Sequence, residues 1–568
     1  MTTPVNLITW LAAALPIMVL LYLLIIKKWA VVDAAILGVS ITSITAFFIF
    51  KAPLTTMSYE ITKGVWNSLS IIAVILPAIF LYELSLRTRA YDSIQAALTR
   101  LIPDKYIQVL AIGWCFASFL QGPSGFGVPI AVTAPILIGI GIKPFYAVLI
   151  PLVGHAWAGT YGTLALGWQA LVQQTFLAND ANAYLEAASW TTVFTGLMAV
   201  LAGFVISYFY GGFKAIYHGL PAILLLGAII SIGQYLTSQH FSALSAVLPT
   251  TLALGAVFLI AKLPRYQTKQ ITSFIHLESV SGKELHASNE KNDSNIAPEV
   301  SNLPSKENRP DNRLSEQKKV GMDKTLPLTF IQALLPYLVL VIISVIVLLI
   351  PSVKDFLTQY KMSFAFPETQ TAYGHINTAN ANYGQISWLT HSGFFLLLSA
   401  LLTTLYYAHK RVLSLSQIPS MLLITLDKSV PPALSIMLLL VMSKLMTGSN
   451  QIGVLAAGTA SVTGAYYAFF APVVGTIGTF MSSSNVSSNI LLAQFQSSMA
   501  NITGQNPAIF LAAQTSGGAL GTMISPSNLL LGVTTAGIVG AEGSIIKKLL
   551  PIIGLLLLIV GTLTQWFS

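Results

Sequence analysis

The chain has 568 residues, of which 54% are hydrophobic and only 9% are charged, and its mean hydropathy is +0.73. A soluble domain carries about 25% charged residues, so this composition excludes an ordinary soluble protein and predicts an all-α polytopic membrane protein. The net charge of +9 does not require a nucleic-acid partner, because cytoplasmic loops of membrane proteins collect lysine and arginine. The one cysteine, Cys115, excludes an internal disulfide framework.

Apolar segments follow one another along the chain, and about 12 of them reach the roughly 20 residues that cross a bilayer. The first is followed by Lys27 and Lys28 without a small-residue cleavage site, so we interpret it as a retained helix and not a signal peptide. The predicted spans lie near residues 7–26, 31–50, 65–85, 145–163, 190–210, 216–236, 243–262, 327–350, 391–408, 429–448, 506–535 and 549–567.

Two regions, 107–142 and 466–502, do not fit as simple spans. Between the halves lies 263–326, which is rich in Lys, Glu, Ser, Asn and Asp. Such a composition cannot bury enough apolar surface to order itself and predicts a disordered cytoplasmic linker. We therefore predict an N-terminal repeat over 1–262 and a C-terminal repeat over 327–568.

The basic residues indicate how the two irregular regions run. With the first basic loop in the cytoplasm, Lys143 and Lys214 lie outside if 107–142 crosses once, and inside if it enters and returns to the same side. The same reasoning makes 466–502 a hairpin entered from the external face. Two re-entrant hairpins from opposite faces predict an inverted-topology repeat, with a site near the midplane where broken helices meet.

The first hairpin would turn at residues 119–129, FLQGPSGFGVP. Glycine lets the backbone approach a ligand closely, and irregular backbone at membrane depth is tolerated only inside protein or beside a watery cavity. The alternative is a proline–glycine kink in an ordinary span, or close helix packing through small residues. The candidate substrate-binding residues of this tip are Gln121, Gly122, Ser124, Gly125 and Gly127.

The second hairpin would turn at residues 480–490, FMSSSNVSSNI, which hold serines and asparagines but no charge. Their side chains can donate hydrogen bonds to a carboxylate, and the N–H groups of a half-helix start favour anions. The alternative is polar side chains that hold helices together. The candidate residues are Ser483, Ser484, Asn485, Ser487, Ser488 and Asn489.

A third break is predicted at residues 516–528, SGGALGTMISPSN, inside the span 506–535. The matching element of the first half is 154–162, GHAWAGTYG, just after the first hairpin. Unwound backbone at these positions would lie beside the hairpin tips. The candidate substrate-binding residues of the third break are Thr515, Ser516, Thr522 and Ser525.

Two ionisable residues within predicted spans are candidates for proton and anion coupling. His155 can change charge near neutral pH, and intramembrane ionisable residues are functional candidates by default; the alternative is a neutral hydrogen-bond donor between helices. Lys444 could bind an anion, or its long side chain could snorkel to the external interface because the span ends soon after it.

Three stretches, 115–147, 479–496 and 517–540, resemble the lactate permease family of secondary transporters. The resemblance covers the chain except the linker and the external stretch 351–390. It implies a prokaryotic cell-membrane carrier, built from inverted repeats with re-entrant hairpins, that moves lactate or glycolate together with a proton.

The chain departs from the familiar pattern of that family at three charged positions. The pattern has glutamate where this chain has Gln121, aspartate where it has Asn485 and lysine where it has Thr522. We hypothesise that His155 carries the proton and Lys444 binds the carboxylate instead. The alternative is coupling to sodium, or an uncoupled facilitator that holds the anion with hydroxyl and backbone N–H groups.

The sequence therefore predicts a secondary active transporter of lactate or a similar small 2-hydroxy monocarboxylate, working by alternating access. The alternative is a sodium-coupled or uncoupled carrier of another organic anion; a dicarboxylate would need more fixed positive charge. Zinc, nucleophile-elbow and P-loop motifs are absent from the sequence, so we predict neither an enzyme nor an ATP-driven pump. We predict no cofactor and no metal site, and a homodimer is compatible with the repeat architecture.

Overall fold

The computed structural model describes residues 3–125, 127–267 and 328–568, and these are mainly helical. Most of the predicted linker, 263–326, lies outside the described residues. Within those described, ten helices are long and apolar enough to cross a membrane. The chain is therefore a polytopic helical membrane protein.

The N-terminal half begins with a helix capped by Asn6, whose side chain accepts the backbone N–H of Thr9 at 2.9 Å. A π-helical stretch, 111–116, joins α5 to α6 into one continuous arm. The helices of this half are α1 (Leu7–Ile25), α2 (Val31–Phe48), α3 (Leu54–Arg87), α4 (Ala90–Leu101), α5 (Lys105–Leu110), α6 (Ala117–Gln121), α7 (Val128–Gly139), α8 (Pro144–Ala156), α9 (Gly162–Gln174), α10 (Ala181–Ser238) and α11 (Val247–Ile260).

The C-terminal half begins with a helix capped reciprocally by Thr329 and Gln332. It includes a long helix of 31 residues, α15, followed after a short turn by α16. The helices of this half are α12 (Phe330–Leu349), α13 (Pro351–Thr358), α14 (Ser392–His409), α15 (Ile418–Gly448), α16 (Gln451–Thr463), α17 (Tyr467–Ser482), α18 (Asn485–Thr503), α19 (Pro507–Gly521), α20 (Pro526–Thr535) and α21 (Glu542–Phe567).

Helix α10 has 58 residues and would be about 87 Å long if it were straight, far more than a bilayer. It folds back at Gly211 and Gly212, and Gly212 has a φ of +64°, which glycine adopts without steric cost. The two arms pack together, since Ser231 Oγ donates to the Gly196 carbonyl at 2.9 Å. The arms therefore form two crossings, as the sequence predicts.

The spans predicted at 145–163 and 506–535 are each two helices, with breaks where the sequence predicts them. The structure differs from the sequence-based prediction in two places. Residues 164–189, which lie between two predicted spans, are mostly helical, because α9 continues to Gln174 and α10 begins at Ala181. Helix α16 was not predicted, because its 13 residues are too few for a full span.

The first hairpin consists of the arm α5–α6, a tip at 122–127 and the returning arm α7. Its two ends lie together, because Lys105 at the start of α5 lies beside Gly141 just after α7. Asp104 also lies 3.6 Å from His218, near the bend of α10. The first hairpin thus begins and ends at the same side of the protein.

The second hairpin consists of α17, a two-residue tip and α18. Gln496 Nε2 donates to the Ala471 carbonyl at 3.1 Å, and Ser488 Oγ donates to the Gly475 carbonyl at 3.0 Å. These bonds join the arms at two levels, so the arms run antiparallel along their length.

Between α13 and α14 the segment predicted to be external forms two small two-stranded sheets, which sequence analysis did not predict; we call it the external segment. Strand β1 pairs antiparallel with β4, and β2 with β3. The segment contacts α3 through Trp66, whose Nε1 donates to the Gly384 carbonyl at 2.9 Å. The strands are β1 (Lys361–Phe366), β2 (Thr369–Gln370), β3 (Ile376–Asn377) and β4 (Asn380–Ser387).

Helices α3 and α15 pack against each other in opposite directions along most of their length. Gly64 of α3 allows a close approach, because a Cβ there would lie 2.6 Å from the Val441 Cα. Near one end Glu60 lies against Gly448, and near the other Glu83 pairs with Lys428. The two helices thus place charged groups near both ends of one interface.

Candidate functional site

The tip of the first hairpin is held by backbone contacts to the start of α9. The Gly122 carbonyl accepts the Leu164 N–H at 2.8 Å. Gly125 has a φ of +56° and packs so closely that a Cβ would lie 2.1 Å from Thr163 Oγ1. Gln121 also packs against Gly162, where a Cβ would lie 2.7 Å from the Gln121 Nε2 and 3.0 Å from its carbonyl oxygen. Glycine is therefore required on both sides of this contact.

The backbone that receives this tip is itself unwound. Thr163, Leu164 and Ala165 all have positive φ, between 50° and 65°. This region costs an L-residue roughly 1–2 kcal/mol, so the left-handed turn persists only because the tip and its surroundings hold it. The break predicted at 154–162 is present, since α8 ends at Ala156 and α9 begins at Gly162, and the left-handed turn adds three residues to it.

The second tip consists of Ser483 and Ser484. Ser483 is left-handed, with a φ of +55°, and Ser484 caps α18 by accepting the Ser487 N–H at 3.3 Å. Because α18 begins here, its first N–H groups and the positive end of its dipole are directed at the tip. This is the arrangement expected of an anion-binding helix start.

A buried polar network joins the second hairpin to both broken helices. Asn485 Nδ2 donates to the Thr515 carbonyl at 3.2 Å and to Thr160 Oγ1 at 3.3 Å. Asn489 Nδ2 donates to Thr515 Oγ1 at 2.9 Å and to the Gly167 carbonyl at 3.0 Å. The two asparagines are one helical turn apart on one face of α18, so they link the two halves at one point.

The same cluster contains oxygen atoms that are buried without a hydrogen-bond partner in the described part of the chain. Buried polar groups in native proteins are nearly always paired, so such atoms indicate a place for water, an ion or a ligand. Two of them pack directly against Gly518, since a Cβ there would lie 2.0 Å from Asn485 Oδ1 and 3.0 Å from Thr479 Oγ1. The unpartnered oxygens are Thr479 Oγ1, Asn485 Oδ1, Asn489 Oδ1 and Ser516 Oγ.

The remaining predicted residues form bonds within their own elements. Ser124 donates to the Leu120 carbonyl at 2.6 Å and Thr522 to the Ala519 carbonyl at 2.6 Å. Ser525 precedes α20 and donates to the Thr522 carbonyl at 3.2 Å. Ser483 reaches the neighbouring break, because its Oγ accepts the Ser527 N–H at 3.3 Å. The second tip thus contacts the third break, as the sequence predicts.

His155 lies fully buried one residue before the end of α8. Its Nδ1 is hydrogen-bonded to the Pro151 carbonyl, so Nδ1 carries a proton and Nε2 is the atom left to exchange one. The end of α8 is fixed beside α6, because Ser118 Oγ donates to the Gly154 carbonyl at 2.8 Å. His155 therefore lies between the first hairpin and the first break.

Lys444 lies near the external end of α15, under the external segment. Its ammonium is 5.8 Å from the centroid of the Tyr383 ring, and that of Lys63 is 5.5 Å from the same ring. His375 lies in the same segment, and burial lowers its pKa below the ordinary value. Lys63 is paired with Glu60 at 2.6 Å, so the net positive charge of this group comes from Lys444.

Sequence analysis missed a charged pair between α3 and α15, at the other end of their interface from Lys63 and Lys444. Lys428 is hydrogen-bonded to Glu83, whose side chain is only 6% exposed. The predicted span 429–448 begins just after Lys428, whereas α15 already begins at Ile418. The apolar run 421–426, MLLITL, was the available signal that the helix starts earlier.

Two hairpins, each with its tip against a broken helix, lie around a buried polar cluster that joins the two halves, and this arrangement is typical of a membrane transport protein. Comparison with known proteins identifies the family. The family model described as L-lactate permease matches residues 9–567. The chain therefore belongs to the L-lactate permease family, and it is a multi-pass permease of the cell membrane and not an enzyme.

Relatives match over nearly their whole length. The chain is 27% identical to the L-lactate permease of Escherichia coli K12, over 98% of this chain and 95% of that protein. It is 25% identical to the glycolate permease GlcA of the same strain, over 94% of this chain and 91% of that protein. Among solved structures, the Alcanivorax borkumensis YdaH transporter matches with a TM-score of 0.40 and 15% identity, covering 90% of this chain and 87% of that one.

Proposed function

We propose that this protein carries lactate, or a similar small 2-hydroxy monocarboxylate such as glycolate, across the cell membrane together with a proton. The two halves alternate access around a site at the buried polar cluster. Family membership supports the substrate class, since the relatives are named as permeases of L-lactate and of glycolate.

The observation that carries the proposal is the set of unpartnered oxygens beside the start of α18. A 2-hydroxy acid presents a carboxylate and a hydroxyl on adjacent carbons. The helix start, with its free N–H groups and positive dipole, suits the carboxylate. The Asn485 and Asn489 Oδ1 atoms suit the hydroxyl, which donates a hydrogen bond that these acceptors lack.

The same oxygens also support a second candidate, a carrier coupled to sodium. Carbonyl and hydroxyl oxygens are the ligands that hard cations prefer. In that alternative Asn485 and Asn489 hold the ion and other groups hold the organic anion.

The experiment measures uptake of labelled L-lactate into proteoliposomes with an imposed proton gradient, an imposed sodium gradient or neither. We expect accumulation with the proton gradient. Accumulation with sodium alone would favour the alternative, and uptake that only equilibrates would indicate an uncoupled facilitator. Absence of lactate uptake under all three conditions would overturn the proposal.

We propose that His155 carries the proton through the centre of the protein. Replacing it with glutamine keeps a polar side chain of similar size but removes the titratable nitrogen. We expect His155→Gln to lose at least about tenfold of proton-driven accumulation, while exchange of internal for external lactate continues. Exchange and accumulation are measured in the same vesicles, and unchanged accumulation would contradict this role.

We propose that Lys444 attracts the carboxylate at the external side. Removing one partly exposed charge weakens attraction by about 1 kcal/mol, so Lys444→Met should raise KM for external lactate roughly fivefold with kcat nearly unchanged. Lys361→Met is the matched control, because Lys361 is an exposed lysine of the external segment. Equal KM values for the two variants would indicate that Lys444 only reaches the membrane interface.

A further inference from the structure

A small cavity lies between α3, α15 and the tip of the first hairpin. Its volume is about 160 Å³, which is room for several water molecules and for a small carboxylate. The hairpin contributes Ser124 and Val128 to its wall. Ala78, Ile79 and Tyr82 of α3, with Lys428 and Pro432 of α15, complete the lining.

Lys428 is the one charged residue in this lining. Its side chain is 48% exposed, and its ammonium lies 5.7 Å from the centroid of the Tyr82 ring. Its partner Glu83 is almost fully buried, and Lys428 is its ion-pair partner among the described residues. A buried carboxylate that loses its partner is strongly destabilised unless it takes up a proton.

We infer that this cavity is a second binding site for a small monocarboxylate, in which the anion replaces Glu83 as the partner of Lys428. Glu83 then takes up one proton. Lys428 keeps its charge in both states, so the site gains one anion and one proton together and its net charge does not change. The inference rests on the proposed function and deepens it, because it assigns a carboxylate site and a proton site that sequence analysis did not predict.

The position of the cavity fits a cytoplasmic entrance. It lies near the end of α3 that precedes Arg87 and Arg89, whereas Lys63 and Lys444 lie near the opposite end of the same helix pair. The lining also includes the first tip, so an anion here would contact the hairpin directly. An anion bound in the cavity would therefore be affected by any movement of the first tip.

Few other titratable groups surround Glu83 in the described structure. Tyr82 and Tyr91 form a ring pair at 6.2 Å, and Tyr91 OH is 2.9 Å from Tyr337 OH. These phenols stay neutral near neutral pH. Asp427 is exposed, so Lys428 and the entering anion are the charges that decide the protonation of Glu83.

The test labels a cysteine placed in the cavity of the full-length protein. Pro432 lines the cavity one helical turn after Lys428, so the thiol of Pro432→Cys reports on access to the cavity. The unmodified protein measures background labelling, because its one cysteine, Cys115, is buried. We expect L-lactate to slow labelling by a small thiol reagent at least threefold. Lowering the pH should strengthen this protection, because a proton on Glu83 frees Lys428.

Three further changes in the Pro432→Cys background separate the possible causes. Glu83→Gln should give protection at about tenfold lower lactate concentration and without pH dependence. Lys428→Met combined with Glu83→Gln leaves no unpaired buried charge, so it should fold, and its protection should be lost. Asp427 is next to Lys428 but exposed, so adding Asp427→Asn should leave the lactate protection of Pro432→Cys unchanged.

The outcomes also separate this inference from the proposed function. Normal lactate uptake with no lactate protection of the thiol in Pro432→Cys, or with equal protection in the Lys428→Met/Glu83→Gln combination, would overturn the inference alone. Absence of lactate uptake would overturn the proposed function, and the labelling would still decide the cavity. Protection that depends on Lys428 but not on pH would overturn the assignment of the proton to Glu83.

Discussion

Replacing Asn485 with aspartate is expected to reduce lactate uptake about 10- to 100-fold at neutral pH, with recovery as the pH is lowered. The side chain keeps its size but loses the Nδ2 donor that bonds the Thr515 carbonyl and Thr160 Oγ1. An ionised carboxylate would face that carbonyl oxygen directly. Each buried bond lost in this way costs about 1–3 kcal/mol, and about 1.4 kcal/mol corresponds to tenfold in rate.

The activity of Asn485→Asp is expected to rise as the pH is lowered, for the following reason. Burial favours the neutral carboxyl group, and only the protonated form has an O–H that can donate to Thr515. Activity of the variant should therefore be highest at low pH and decline as the pH rises. Because uptake by the unmodified protein also depends on pH in our proposal, the measured quantity is the ratio of the two initial rates at each pH.

The matched control is Asn501→Asp, which makes the same change at an exposed position of the same helix. We expect its rate ratio to stay near one at every pH. A ratio for Asn485→Asp that is low but independent of pH would show that the carboxyl does not replace the amide donor. A ratio near one would remove Asn485 from the site.

The result bears on why this chain differs from the pattern it resembles. That pattern has aspartate at Asn485 and lysine at Thr522, whereas here both positions are neutral. The structure surrounds Asn485 with hydroxyl and carbonyl groups of Thr160 and Thr515, which an amide can satisfy and an unpaired carboxylate cannot.

Sequence reasoning could predict much of the fold because its signals are local. The length of each apolar run predicts the spans. The requirement that basic loops lie on the cytoplasmic side distinguishes a hairpin from a crossing. The second hairpin was expected at 466–502, and its arms extend from Tyr467 to Thr503. The break near Thr522 was expected from a run of glycine, serine and proline, and the helix does end there.

The parts that could not be predicted depend on contacts between distant segments. The left-handed turn at 163–165 has no glycine to mark it, and it exists only where the first tip packs on it. The pairing of Glu83 with Lys428 joins residues that are 345 positions apart. The partners of Asn485 likewise come from two broken helices, so composition alone could identify the polar tip but not what it contacts.

The second large effect is expected for Gly125→Ala, which should destabilise the protein by about 2–5 kcal/mol and nearly abolish transport. The residue has a φ of +56°, and a Cβ would lie 2.1 Å from Thr163 Oγ1. The left-handed backbone costs roughly 1–2 kcal/mol, and overpacking a filled site adds about 1–3 kcal/mol. Thermal unfolding in detergent measures the stability, and lactate uptake measures the function.

Two further variants divide this cost into its parts. Gly504→Ala is at a left-handed position, with a φ of +70° and a ψ of +23°, and no atom lies within 4 Å of the new Cβ, so it should show the backbone cost alone. Adding Thr163→Ala to Gly125→Ala removes the Oγ1, and the new Cβ would then lie 3.5 Å from the Cβ of residue 163, an ordinary contact. The double variant should thus unfold at a temperature close to that of Gly504→Ala. If Thr163→Ala restores no stability to Gly125→Ala, the first tip does not rest on the turn at 163–165, and the close contact between hairpin and broken helix is wrong.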